Sequence, residues 1–343
     1  MLFSRIVNGF LSAFGFRIVR KSILYGWQTG ETGNDQNLYL PEGSAKYLTI
    51  DNPRLLELRQ SYSLFQSKAS VPIVWTDEYV QSYDLQSFRG DNCYVWQTKD
   101  PNCDAVNYCL TAYYVKAIDT LGLLQKNKED GLFGVHTYIV DSQIISRDLL
   151  DSIIELSFLE KHLQLSSMPE FKILDIGAGY GRLAYRAVSS FPNLTTYVCT
   201  DAVPESTFLS EYHVKFRCIE DKVSVIPLDS ITEYLQGKEI DLAVNIHSFS
   251  ECSLEAIDWW LALLSANAVK YFFIIPNAAD HGGEKLALND GSDFSVLLEK
   301  YGYKLHCKAP KYADPLVQKF GVSPTFFYLY QRTDLNTDLV IGH

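Results

Sequence analysis

The chain reads as α/β, a Rossmann-like seven-stranded sheet domain behind an N-terminal, mainly helical cap. Three observations predict this. Its 343 residues exceed one minimal domain, taking roughly 100 to 200 residues per domain as a guide. After Pro169, short apolar runs alternate with helical patterns, the signature of a parallel sheet with crossover helices. The first of those runs ends in Asp175-Ile176-Gly177-Ala178-Gly179-Tyr180-Gly181, a glycine loop between a strand and a helix. The expected division is residues 1–165 for an amphipathic segment and helical cap, 166–335 for the sheet domain and 336–343 for a tail.

In chain order, residues 1–21 are basic and place Leu2, Phe3, Ile6, Val7, Phe10, Leu11 and Phe14 at helical spacing. This predicts an amphipathic helix, either docked on the protein's own body or lying at a membrane surface; its apolar stretch is too short to span a bilayer. Helical patterns follow at Pro53 to Lys68, Asp104 to Leu123 and Arg147 to Leu165, the last with Leu149, Leu150, Ile153, Ile154 and Phe158 on one stripe. Gly131 to His136 reads as a loop or short strands.

Strands are expected at Phe171 to Ile176, Thr196 to Thr200, Val223 to Leu228, Ile240 to Ile246 and Tyr271 to Ile275. Lys304 to Lys308 and Thr325 to Tyr330 complete the sheet as an antiparallel hairpin. Helices are expected at Arg182 to Ser189, Pro204 to His213, Leu254 to Ala266 and Asp293 to Tyr301. No internal repeat interrupts the series.

Composition excludes several functions. A net charge of −11 without a Lys/Arg cluster argues against nucleic-acid binding, which depends on neutralising phosphates. Seven scattered cysteines without a CxxC pair fit reduced thiols in a cytoplasm better than a disulfide framework or zinc site. The expected location is cytoplasmic, with peripheral contact at the inner membrane face if residues 1–21 seek a membrane.

The glycine loop discriminates between cofactors. Alternating glycines let backbone N–H groups approach a ligand without a Cβ in the way. A dinucleotide fingerprint GxGxxG requires glycine at position 182, where Arg182 stands, so GxGxG behind Asp175 favours S-adenosylmethionine (SAM). Asp201 ends the second strand, where a carboxylate holds ribose hydroxyls, and Asp229 follows the third, suited to an adenine amino group. The expected cofactor contacts are Asp175, Gly177, Ala178, Gly179, Tyr180, Gly181, Asp201, Ala202, Asp229, Asn245 and Ile246, with S-adenosylhomocysteine (SAH) as product and no obligatory metal.

Methyl transfer to a hydroxyl needs an aligned acceptor and a base. His247 opens the loop after the fourth strand, and Glu251, four residues on, can orient its imidazole if the segment is helical. The alternative is that His247 packs beside the cofactor and Glu251 caps the next helix. His281 follows the fifth strand and is a third catalytic candidate. Substrate contacts are expected from Arg147, whose planar fork suits a carboxylate, from Tyr113 and Tyr114, and from His136. Trp96 and Tyr138 are further aromatics able to stack on sugar faces, although most such residues are core.

Beyond the superfamily loop, the chain resembles the bacterial sugar O-methyltransferases over most of its length after about residue 100. The resemblance rests on Ile145 to Ile153, Leu174 to Tyr185, His247-Ser248-Phe249-Ser250-Glu251, Asp258-Trp259-Trp260, Ile275-Pro276-Asn277 and Lys311-Tyr312-Ala313-Asp314-Pro315. It implies transfer of methyl to a sugar hydroxyl on a nucleotide sugar, glycan or glycosylated product, as in polysaccharide biosynthesis. Two other readings are a catalytically inactive SAM-binding scaffold and an enzyme acting on a protein or lipid-linked acceptor.

Overall fold

A computed structural model describes residues 39–71, 73–81, 84–92, 95–96 and 105–333. The amphipathic segment 1–21, the tail 336–343 and the side chain of Trp96 lie outside the described residues.

Seven strands, β1 (Phe171–Ile176), β2 (Leu194–Thr200), β3 (Val223–Val225), β4 (Leu242–Ile246), β5 (Tyr271–Ile275), β6 (Tyr303–Pro310) and β7 (Phe326–Arg332), form one sheet ordered β6-β7-β5-β4-β1-β2-β3. β1 to β5 are mutually parallel, and β7 runs antiparallel to both β5 and β6. The order reverses between β1 and β4, which opens a crevice beyond their carboxyl ends. β6 and β7 pair as expected but are not a tight hairpin, since a helix and a loop occupy the connection.

The principal helices are α1 (Pro53–Leu64), α2 (Ala105–Ile118), α3 (Arg147–Leu163), α4 (Arg182–Ser190), α5 (Pro204–Phe216), α6 (Leu254–Ala266), α7 (Ser295–Lys300) and α8 (Pro315–Phe320). Two end earlier than their apolar spacing predicts, for a local reason. After α1, Ser67 and Ser70 form a reciprocal cap that starts a new 3₁₀ turn at Lys68. After α2, the Asp119 carboxylate accepts the Leu123 and Leu124 N–H groups, both at 2.7 Å, and caps the following short helix.

Strand alternation divides the core in two. Ile173, Leu242, Val244, Phe273, Ile275, Phe327 and Leu329 face one side, where α2, α3 and α4 pack. Leu174, Ile176, Ala243, Phe272, Ile274, Tyr328 and Tyr330 face the other, with α1, α6 and α7. The cap and the sheet therefore share both halves of the core.

A buried ion network adds a second tie. The Arg89 guanidinium, 1% exposed, donates to Glu129 (2.9 Å), Asp130 (2.9 Å) and Asp148 (2.8 Å). Arg186 of α4 reaches Glu129 and Asp148 at 3.2 Å each. Tyr180 of the glycine loop donates its hydroxyl to Asp148.

Candidate active site

A cavity of about 760 Å³ opens at the crevice between β1 and β4. Its floor is the glycine loop. Gly177 has φ 74°, and a Cβ there would meet the Ser248 side chain at 2.2 Å, so this glycine permits close approach between the β1 and β4 turns. Gly181, φ 79°, precedes α4 but does not line the cavity.

Asp201, at the end of β2, accepts the Gly179 N–H and the Val203 N–H, each at 2.9 Å, and so fixes the loop. Burial pushes its carboxyl up to about 6 despite the two amide donors. Asp175 accepts the Tyr197 hydroxyl at 2.7 Å and is pushed up to about 7, again by burial. Asp175, Gly177, Ala178, Gly179, Tyr180, Asp201, Ala202 and Ile246 all line the cavity.

Other expected contacts lie elsewhere. Asn245 is fully buried and braces the loop from behind, donating to the Ile176 carbonyl (2.9 Å) and accepting the Phe249 N–H (3.0 Å). Asp229 faces a separate shallow groove beside α1, where Ser61 donates to its carboxylate. Tyr62 of α1 reaches the residues that follow β2 and β3, its hydroxyl meeting the Asp201 carbonyl (3.0 Å), Thr207 (2.8 Å) and the Leu228 N–H (2.9 Å). The expectation that Asp229 meets the cofactor is corrected by this helix, which covers it.

His247 lines the cavity with φ 69°, a backbone conformation unusual outside glycine. Its N–H extends the β4–β5 ladder to the Ile275 carbonyl (2.7 Å), and Nδ1 faces the Pro276 carbonyl at 3.3 Å. Donation from Nδ1 leaves the Nε2 lone pair as the acceptor. Burial and the neighbouring Arg147 push this imidazole down to about 3, so it is neutral at cellular pH.

Glu251 also lines the cavity but does not orient His247, because Ser248–Glu251 is a 3₁₀ turn. Its two oxygens instead accept the Trp75 indole N–H (2.6 Å) and the Asn277 amide (3.0 Å). Burial raises this carboxyl. Trp75 and Ala69, from the segment after α1, form part of the cavity wall.

Arg147, the first residue of α3, lines the cavity and pairs with Asp151 at 3.2 Å. Arg182 forks onto Glu155 at 2.8 and 3.0 Å. The other acceptor-side expectations are corrected. His281 accepts the Gly283 N–H (3.2 Å) outside the cavity, which Asn277, Ala278 and Ala279 of the same loop reach. Tyr113 donates to Asp141 (2.9 Å), Tyr114 accepts the Ala313 N–H (2.9 Å), Tyr138 stacks on Tyr108 in the core, and His136 is likewise absent from the cavity lining.

Trp75 and Asp151, which line the cavity, and Lys311, which binds Asp151 from behind it, were not expected there. The signal for Asp151 was present: Asp148, Asp151, Ser152 and Glu155 recur at helical spacing along α3, and all are buried. Among the described residues, no three His, Cys, Asp or Glu side chains gather as a metal site, and no helix is long and apolar enough to cross a membrane.

The sheet order and the glycine loop at its switch point define a Rossmann-like, seven-stranded α/β fold. Neither a family model nor a curated protein matches the chain. Among solved structures it is similar to magnesium protoporphyrin IX methyltransferase from Synechocystis with bound SAM, at 12% identity over 65% of this chain and 97% of that one, TM-score 0.39. It is similar to geranyl diphosphate methyltransferase in complex with GPP and sinefungin, at 10% identity over 65% and 99%, TM-score 0.38. A SAM-dependent methyltransferase from Aquifex aeolicus matches at 18% identity over 53% and 98%, TM-score 0.35. Likenesses this distant carry no functional argument, which rests on the chain's own residues.

Proposed function

We propose that the protein is a SAM-dependent O-methyltransferase whose acceptor is a sugar hydroxyl. One observation carries this reading: the Gly177–Gly181 loop, pinned by Asp201, shares a single cavity with His247, whose lone pair at Nε2 is free of the Pro276 contact. The adenosyl ribose is assigned to Asp201, and the sulfonium to the space above Gly177 and Gly179. His247, kept neutral by burial and Arg147, accepts the hydroxyl's hydrogen bond at Nε2 and takes its proton only as the oxygen attacks the methyl carbon and the sulfonium leaves as neutral SAH. Asp175 and Arg147 are assigned to the charged amino-acid end of the cofactor or to a charged group on the acceptor. The sugar class is supported by the sequence resemblance and by polar walls at Asn277, Ser323 and Thr325.

The test is methyl transfer from labelled SAM to a panel of neutral and acidic nucleotide sugars. Product is expected with at least one member, and His247→Ala is expected to reduce its formation by about 10² to 10⁴ while SAM still binds. Binding without turnover across the panel would favour the scaffold reading.

A further inference from the structure

The Lys311-Tyr312-Ala313-Asp314-Pro315 motif has no part in the proposed chemistry, yet it stands directly behind one wall of the cavity. Lys311 is buried, 4% exposed at its side chain, and its ammonium is fully engaged. It donates to Asp151 Oδ1 (2.7 Å) and to the Val322 and Ser323 carbonyls, both at 3.0 Å. Its own N–H donates to the Thr325 carbonyl at 2.8 Å. Tyr312 donates its hydroxyl to the Val322 carbonyl, and Asp314 caps α8 through the Leu316 and Val317 N–H groups.

These bonds converge on residues that face the cavity. Ser323, Pro324 and Thr325 line it, and Ser323 is held at φ 50°. Asp151 holds Arg147. The Thr325 hydroxyl donates at 3.1 Å to the Pro276 carbonyl, the same oxygen that His247 Nδ1 faces. Lys311 thus connects α3, the loop before β7 and the carbonyl that selects the imidazole tautomer.

We infer that Lys311 is a positioning residue for His247: its ammonium pins the Val322 and Ser323 carbonyls just ahead of Thr325, and so sets the Thr325 hydroxyl and the Pro276 carbonyl that hold the imidazole with its proton on Nδ1 and its lone pair on Nε2, toward the acceptor. Naming the acceptor rests on the methyltransferase reading; the positional claim does not. A buried ammonium suits this role because its three donors are satisfied at fixed directions, and losing one partner is costly. The groups facing His247 are Arg147 and Asp151 of α3, Arg182 of α4 and Lys311 itself.

The experiment reads the tautomer without needing an acceptor. In proton–nitrogen correlation spectra of the full chain, the His247 signals are those lost in His247→Gln. The wild type should show one Nδ1–H tautomer, unprotonated between about pH 5 and 8. Lys311→Met and Thr325→Val should both lose that single signature and move toward a mixture of the two tautomers, while Lys311→Arg keeps it. Thr325→Val changes no charge, so it separates position from electrostatics. If neither variant alters the signature, or only one does, the inference is overturned; loss in Lys311→Met alone means a charge effect, and loss in Thr325→Val alone means Lys311 does not reach His247. Should Lys311→Met fail to fold, Lys311→Gln replaces it with the same expectation. Calorimetry with SAH runs in parallel: no binding by the wild type defeats the cofactor reading and leaves the tautomer result intact.

Discussion

Asp148 on α3 and Asp175 on β1 are both buried, yet they belong to two polar clusters on which burial acts differently. Burial alone would raise the Asp148 carboxyl, but Arg89 and Arg186, with the Tyr180 hydroxyl, hold it well below the usual carboxylate range. In the cavity, Asp175 and Asp201 have hydrogen bonds and no directly paired cation, and burial pushes them up. With Arg217 paired to Asp130, the first cluster sets three guanidinium groups against three carboxylates and joins cap to sheet. The second is left electrostatically incomplete at the place where a cationic ligand is proposed. Displaced carboxyls in a cleft, beside a satisfied network that shows the same fold can pair its charges, single that cleft out as the candidate functional site.

The largest effect should come from breaking the matched cluster. Arg89→Met leaves Asp148 and Glu129 buried with one cation fewer, and should cost about 3 to 5 kcal/mol in urea unfolding. A loss below about 1 kcal/mol would mean that Arg186 alone neutralises both carboxylates, and the contrast between the clusters would weaken.

The cavity cluster predicts a pH dependence of opposite sign. A carboxyl whose folded pKa is raised stabilises the fold below its ordinary range, and that contribution is lost as pH rises through the folded value. For Asp201 and Asp175 the loss runs from about 4 up through about 6 and about 7. Asp148 and Asp151, held low, act the other way: their contribution is present above the ordinary range and disappears only as pH falls below it. Asp175→Asn should therefore melt at nearly the same temperature as the wild type at low pH and at a higher one at high pH. At about 1.4 kcal/mol per unit of displacement, the gain is a few kcal/mol at most. An unchanged slope in the variant would show that Asp175 ionises normally. A ligand bearing an ammonium or sulfonium should reverse the effect, since it stabilises the ionised carboxyl and releases a proton on binding.

The two clusters were not equally legible in the sequence. Asp175, the glycines and Asp201 sit at strand ends, and strand periodicity places them together without further information. His247 was legible on the same ground. Arg89, Glu129 and Arg186 lie on separate elements and meet only through tertiary packing, for which no local pattern exists. The same holds for Trp75 on Glu251 and for Lys311 behind Asp151. Asp229 failed for a related reason: strand register put it in the right row, but α1 packs over it, and its apolar residues Leu55 and Leu58 say that it is buried without saying where.

Tyr62 isolates that covering action at the smallest cost. Its hydroxyl accepts the Leu228 N–H at 2.9 Å, and both atoms are buried. Tyr62→Phe keeps the ring and its packing, and should cost about 1 to 3 kcal/mol, the penalty for leaving one buried donor unpaired. Tyr62 and Arg89 share no hydrogen-bond partner, so the loss should add to that of Arg89→Met within about 0.5 kcal/mol in the double variant. Marked non-additivity would mean that α1 and the ion network open as one unit, and that the cap's two attachments to the sheet are a single cooperative device.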